Sequence, residues 1–245
     1  MKHVLVVVIL STLMGCGAST PESKAIAAIE GLHGYVQMED GHAFYVSLSE
    51  TEITDAELVH LKEMPILTIL AVSDTSVCDA GLEHLQGMTQ LKRFAADNTK
   101  VSDAGVQHLA GFTQMEELNL YNTKVTDAGL QHLQGMTELK ELALDDTNVS
   151  DAGLEQLKPF SNLENLGLSS TNVTDAGLPH LKEFTKLVRL NLTNTSVTDA
   201  GLEHLKLMPQ LQRIDLLDTK VSDEGVKQLK AALPKCLVNA NGAQN

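Results

Sequence analysis

A threonine recurs every 24 residues, eight times without a slip: Thr51, Thr75, Thr99, Thr123, Thr147, Thr171, Thr195 and Thr219. Four residues after each stands an aspartate, from Asp55 through Asp79, Asp103, Asp127, Asp151, Asp175 and Asp199 to Asp223. Two positions further on, seven of the eight residues are glycine and the exception is Glu57. A period of roughly 20–50 residues is the mark of a solenoid, in which one repeat is one coil and only neighbouring coils cover its apolar side. The chain is therefore expected to form an elongated stack with a continuous internal core.

The segment from Thr123 to Asp146, TKVTDAGLQHLQGMTELKELALDD, shows what one coil encodes. Leu142 and Leu144 alternate with other residues, as in a short strand. Leu130, Leu133 and Met136 are spaced by three, which suits a short helix or 3₁₀ turn. Thr126 reads as the N-cap of that helix, and Asp127 as an acid facing the positive end of its dipole. Stacking turns these positions into columns, such as Leu70, Phe94, Leu118, Leu142, Leu166, Leu190, Ile214. Aromatic residues make up only 3% of the chain, so aliphatic columns must carry the core. The threonine column is expected inside, with its hydroxyls satisfying the backbone where the chain leaves the strand.

The repeated pattern L-x-x-L-x-L-x-x-T-x-V-[ST]-D-A-G-L-x-x-L resembles the leucine-rich repeat proteins, most closely the variant abundant in planctomycete-type bacteria. It is similar also to the repeats of eukaryotic F-box proteins, although no F-box precedes the repeats here. The resemblance covers roughly residues 25 to 240. It implies a right-handed α/β horseshoe, with a curved parallel sheet on the concave side and short helices on the convex side. For function it implies little more than protein interaction.

The chain divides into five segments. Residues 1–15 read as a signal peptide: Lys2 is followed by an apolar run over 4–13, too short to span a membrane stably. The run ends in Leu13-Met14-Gly15-Cys16, which resembles the bacterial lipobox. That resemblance implies cleavage before Cys16, lipidation of its thiol and acylation of its new amine, enough for stable anchoring. With Gly17 in place of aspartate, the sorting rule of enteric bacteria implies the outer membrane. Residues 16–23 are a tether, although Thr20, Pro21 and Glu22 already read as N-cap, first position and acidic first turn of a helix. Residues 24–50 form an N-terminal cap: that helix ends near Gly34, and a hairpin turns at Asp40-Gly41. The solenoid occupies 51–233. Residues 234–245 are a tail in which Cys236 to Asn239 is expected to add a last strand.

A formal charge of −14 argues against nucleic acid and against lying on anionic lipid. Membrane contact is therefore expected through the N-terminal lipid alone. Cys78 and Cys236 lie six coils apart, too far to pair, and no disulfide framework is needed.

Several polar columns invite chemistry. His60, His84, His108, His132, His180 and His204 would stack in register, as a metal ladder, a pH sensor, or merely a half-exposed helical position. Aspartate and histidine recur at i, i+5, but such residues do not face each other on a helix, so no hydrolase triad is assembled. The column Glu50, Asp74, Asn98, Asn122, Asp146, Ser170, Asn194, Asp218 suits weak calcium binding or, more simply, a turn.

The outward strand positions differ from coil to coil. One column runs Tyr45, Ile69, Arg93, Glu117, Glu141, Asn165, Arg189, Arg213. A middle one is mostly small: Ser47, Ala71, Ala95, Asn119, Ala143, Gly167, Asn191, Asp215. A third includes Asp97, Tyr121 and Asp145. Aromatic and arginine residues dominate binding hot spots. The candidate ligand residues are therefore Arg93, Glu117, Asn119, Tyr121, Asp145, Arg189 and Arg213. The reading is a monomeric, lipid-anchored, non-enzymatic scaffold of the bacterial envelope that needs no cofactor or metal and binds a protein or peptide on its concave face. Its rivals are an envelope spacer without a ligand and a metal- or pH-responsive protein.

Overall fold

The computed structural model describes residues 20–241. The signal segment, Cys16 and the start of the tether lie outside the described residues. Helix α1 (Pro21–Gly31) and the hairpin β1 (Tyr35–Glu39) and β2 (His42–Ser47) come first. Thr20 caps α1, its hydroxyl accepting from the Ser23 N–H at 3.0 Å, so residues 21–23 of the presumed tether are already helix. Then follow β3 (Ile69–Ala71), β4 (Arg93–Ala95), β5 (Glu117–Asn119), β6 (Glu141–Ala143), β7 (Asn165–Gly167), β8 (Arg189–Asn191), β9 (Arg213–Leu216) and β10 (Leu237–Ala240). All ten strands form one sheet in chain order. Only β1 and β2 are antiparallel; from β2 onward each strand pairs in parallel with the next, in a register that steps by one repeat.

Short helices return the chain on the other side: α2 (Asp79–Glu83), α3 (Asp103–Val106), α4 (Asp127–Leu130), α5 (Asp151–Gln156), α6 (Asp199–Leu205) and α7 (Asp223–Ala232). Two coils return through 3₁₀ turns instead, at Asp55–Glu63 and Leu178–Glu183. Pro179 stands at the start of the second, where its missing N–H removes a helix donor.

Each central strand is three residues long and buries only its middle one, the column from Leu70 to Ile214. The helix column Leu61, Leu85, Leu109, Leu133, Leu157, Leu181, Leu205 and Leu229 is fully buried. A third column mixes Met64, Phe112, Met136, Phe160, Phe184 and Met208, all buried, with a half-buried Met88, so three of the five phenylalanines fill a single internal position.

The threonine column is internal as expected, buried from Thr99 to Thr195 and half-buried at Thr51, Thr75 and Thr219 towards the ends. Every one of the eight hydroxyls donates to the carbonyl three residues earlier, for example Thr123 to Leu120 at 2.7 Å and Thr147 to Leu144 at 2.5 Å. Those carbonyls face the interior at the strand's end, where an unmet acceptor would be costly. The next column settles the Asp/Asn question. Glu50, Asp74, Asn98, Asn122, Asp146, Ser170, Asn194 and Asp218 all have φ between 49° and 60°. Asn and Asp tolerate this left-handed conformation better than most residues. The turn accounts for the column.

The aspartates do more than face a dipole. Each carboxylate from Asp55 to Asp199 reaches forward to the following coil and takes two hydrogen bonds there. Asp127 accepts the Ser150 N–H at 2.7 Å and its hydroxyl at 2.6 Å. Asp103 does the same for Thr126, and Asp151 for Thr174. Asp55 binds the Cys78 N–H and thiol, whose pKa is raised by that hydrogen bond. The residue that donates to the aspartate can also cap its own helix, Thr126 Oγ1 accepting from the Ala128 N–H at 3.2 Å and Ser150 Oγ from the Ala152 N–H at 3.4 Å.

This reach explains both the glycine column and its exception. A Cβ on Gly81 would lie 2.6 Å from Asp55 Oδ1, and one on Gly105 2.5 Å from Asp79 Oδ1. The same carboxylate blocks Gly129, Gly153, Gly177, Gly201 and Gly225. One repeat before Asp55 stands Gly31, so no aspartate crowds Glu57. Its carboxylate instead accepts from the Thr54 N–H and hydroxyl at 2.7 and 2.8 Å, which lowers its pKa.

In an ordinary helix, alanine in place of glycine gains about 1 kcal/mol. Gly105→Ala is expected to reverse that sign and cost about 1–3 kcal/mol through overpacking against Asp79. The loss should shrink in an Asp79→Ala background. Denaturant melts of the two single variants and the double variant measure it; strict additivity would refute the clash.

Candidate ligand-binding face

The concave side of the sheet is an open trough of about 1230 Å³ running from β2 to β9. Its floor is set by strand alternation: residues flanking each buried middle position point outward. In register across the sheet stand Arg93, Glu117, Glu141, Asn165, Arg189 and Arg213. Beside them Ala71, Ala95, Ala143 and Gly167 keep the middle column low.

Most charges on this face are matched by neighbours. Arg93 Nε lies 3.1 Å from Glu117 Oε1. Arg213 folds along its own strand onto Asp215, with contacts of 2.8 and 3.0 Å. Asp215 is drawn below the usual carboxylate range by Arg213 and by the Asn239 amide, against a burial effect that raises it. The Asn165 amide nitrogen donates to Glu141 at 2.6 Å. Arg189 has no carboxylate within ion-pair distance among the described residues.

Along the rim run hydrogen-bonded carboxylates. Asp97 accepts from the Ser73 hydroxyl at 2.5 Å and the Asn119 amide at 2.9 Å, and Asn119 in turn accepts the Tyr121 N–H. Asp145 accepts from the Ser169 N–H and, two coils away, from the Asn191 amide, each at 2.9 Å. It can lean that far because Gly167 has no side chain: a Cβ there would overlap the Asp145 carboxylate. Burial pushes the Asp145 carboxyl above its ordinary value. The nearby Asp146 charge raises the half-exposed Tyr121 phenol.

Of the residues singled out from sequence, Arg93, Glu117, Asn119, Arg189 and Arg213 line the trough. Tyr121 and Asp145 stand just beyond the strand ends, on the rim. The sequence list omits Glu141, Asn165, Gly167 and Asn191, which share the same floor. Gly167 carried a signal: it is the one glycine in a strand-facing column, the sign of a close approach.

The six helix histidines are all half-buried. His108 Nδ1 meets the Gln86 amide at 2.5 Å, and His84 Nδ1 is buried without a partner among the described residues. Among those residues no group of three or more histidine, cysteine or acidic side chains is placed to hold a metal ion. No described helix is long and apolar enough to cross a membrane.

A carboxyl whose folded pKa lies above its unfolded value binds more protons when folded. Its stabilising contribution is present below the unfolded pKa and is lost as pH rises through the folded one. Asp145→Asn keeps the acceptor and removes the charge. Its melting temperature relative to the parent is therefore expected to rise between about pH 3.5 and 7, starting from the ordinary aspartate value of ~3.9. A difference that stays flat or falls would show that burial does not govern this group.

No protein-family model matches the sequence, and no curated protein matches it. Solved structures do. Internalin F of Listeria monocytogenes aligns at 21% identity over 85% of this chain and 61% of its own, with a TM-score of 0.63. Internalin C2 of the same species aligns at 22% identity over 91% of this chain and 97% of its own, with a TM-score of 0.68. This chain thus spans 61% of the length of the first and nearly all of the second. Identity at this level speaks for the fold, and with the open parallel sheet and its 24-residue register it makes this chain a right-handed leucine-rich-repeat solenoid.

Proposed function

We propose that this protein is a non-enzymatic interaction scaffold, anchored by lipid at Cys16 to a bacterial envelope, that binds a protein or peptide in its concave trough. One observation carries the binding reading. The columns with a structural task, threonine, aspartate, glycine and leucine, repeat almost unchanged, whereas the concave columns change residue type at most coils, and the first of them changes charge several times along the stack. Stacking does not require that variety, and a specific surface does. The internalin-like fold is consistent with a protein partner. The anchoring reading rests on Leu13-Met14-Gly15-Cys16 after a short apolar run.

The spacer reading has one observation in its favour: Arg93 and Arg213 are already matched by Glu117 and Asp215, as on a solvated wall. A photoreactive benzoylphenylalanine separates the two. Placed at Ala143 on the trough floor, it is expected to cross-link one defined protein in host cells. Placed at Ala152, exposed on α5, it is expected to give none. Equal, diffuse adducts from both sites would favour the spacer.

For the anchor, Cys16→Ser is expected to abolish labelling by a fatty-acid analogue and to leave unprocessed or detergent-independent protein. Membrane partition and labelling unchanged from the parent would remove the lipoprotein reading.

A further inference from the structure

In the first concave column two charges lack an ionic partner among the described residues: Glu141 on β6 and Arg189 on β8. They do not neutralise each other, because β7 lies between them and presents Asn165. Asn165 is itself only half satisfied. Its amide nitrogen is held by Glu141, while its Oδ1 is buried with no hydrogen-bond partner among the described residues. A native polar group left in that state calls for an explanation, and a small turn of the amide would offer this oxygen to an N–H donor lying between the two charges. The floor beside it is low at Ala143 on β6, while on β7 the space over Gly167 is taken by the Asp145 side chain, which the Asn191 amide holds in place. The Asp145 carboxylate leans over Gly167 and adds negative charge beside Glu141.

Parallel strands lie about 4.8 Å apart, so residues two strands apart are separated by roughly 10 Å along the stack. A β-extended ligand repeats its face every two residues and advances only about 6.6 Å in doing so. A polyproline-type segment repeats its face every three residues and advances about 9.3 Å, and its backbone makes no internal hydrogen bonds. The second spacing matches. It also suits a sheet face, which offers a ligand side chains and no free backbone edge.

We propose that the trough over β6 to β8 recognises an extended peptide segment with a basic side chain three residues from an acidic one, the basic group on Glu141 and the acidic group on Arg189. This rests on the reading of the concave face as the binding surface. Arg93 with Glu117, and Arg213 with Asp215, then serve as matched flanks that confine the unmatched pair to the middle of the trough.

The test uses the full chain and blocked peptides with proline and alanine spacers, carrying one lysine and one glutamate separated by one to six positions, plus lysine-only and glutamate-only controls. Fluorescence anisotropy is expected to show tightest binding at a separation of three. Arg189→Gln should reduce that affinity to the lysine-only level, about two- to fivefold, the scale of a partly exposed ion pair. Glu141→Gln should reduce it to the glutamate-only level. A flat spacing profile, a glutamate-only peptide that binds as well as the pair, or no peptide binding at all overturns the proposal. Ala143→Trp, which fills the trough, distinguishes the two levels. Binding that ignores charge but is lost in Ala143→Trp sinks the charge pattern and leaves the concave reading standing. Binding untouched by Ala143→Trp sinks both. Melting curves of each variant establish that the stack is intact.

Discussion

The hydrogen bonds that the aspartates from Asp55 to Asp199 accept from the coil that follows hold the repeats in register. A coil of 24 residues has short strands, short helices and too little apolar surface to enclose itself. Its free N–H at the start of each helix needs a partner, and the aspartate of the preceding coil provides one, 23 residues earlier in the chain. The same carboxylate takes the neighbouring hydroxyl or thiol, so two polar groups are satisfied together. Because the bond runs between coils, it forms only when the stack forms. It also dictates the glycine two residues on, since any side chain there would occupy the carboxylate's position.

Stacks of this kind have two open ends, and an exposed sheet edge invites association. The first end is closed by α1 and the antiparallel hairpin. The Glu22 carboxylate ties α1 to the start of β2, bonding His42 Nδ1 at 2.7 Å and the Ala43 N–H at 2.9 Å. At the other end α7 is the longest of the convex helices, and β10 adds one more strand in register with β9. Glu57 marks where the cap meets the repeats. It departs from the glycine rule at the one coil that has no aspartate before it.

With stacking handled by threonine, aspartate, glycine and leucine, the concave face is released from structural duty. Its outward positions alternate with buried ones, and their backbone is already paired in the sheet. Side chains there interact mainly with one another and with whatever enters the trough. The central coils are acidic and are flanked by arginine on both sides, although the chain as a whole is strongly acidic.

Much of this was legible from the sequence, because repetition turns a three-dimensional contact into a one-dimensional period. The solenoid, the core columns, the buried threonine and the capping helix starting after Thr20 all follow from residue type and spacing. The last strand lies one residue later than expected, at Leu237–Ala240, since Cys236 still belongs to the turn after α7. What the sequence left open depends on side chains of different coils meeting across the stack. The aspartates read as partners of their own helix dipoles, and only the fold brings them to the next coil. The Asp/Asn column fitted calcium or a turn until its backbone showed the left-handed conformation. On the trough, the sequence displays seven candidate residues as equals. Neighbours one strand away decide that Arg93 is matched, that Arg213 folds onto its own strand, and that Glu141 and Arg189 are left facing outward. Periodicity specifies the scaffold because every coil solves the same packing problem; the concave face is specified by differences between coils, and those acquire meaning only when the strands stand side by side.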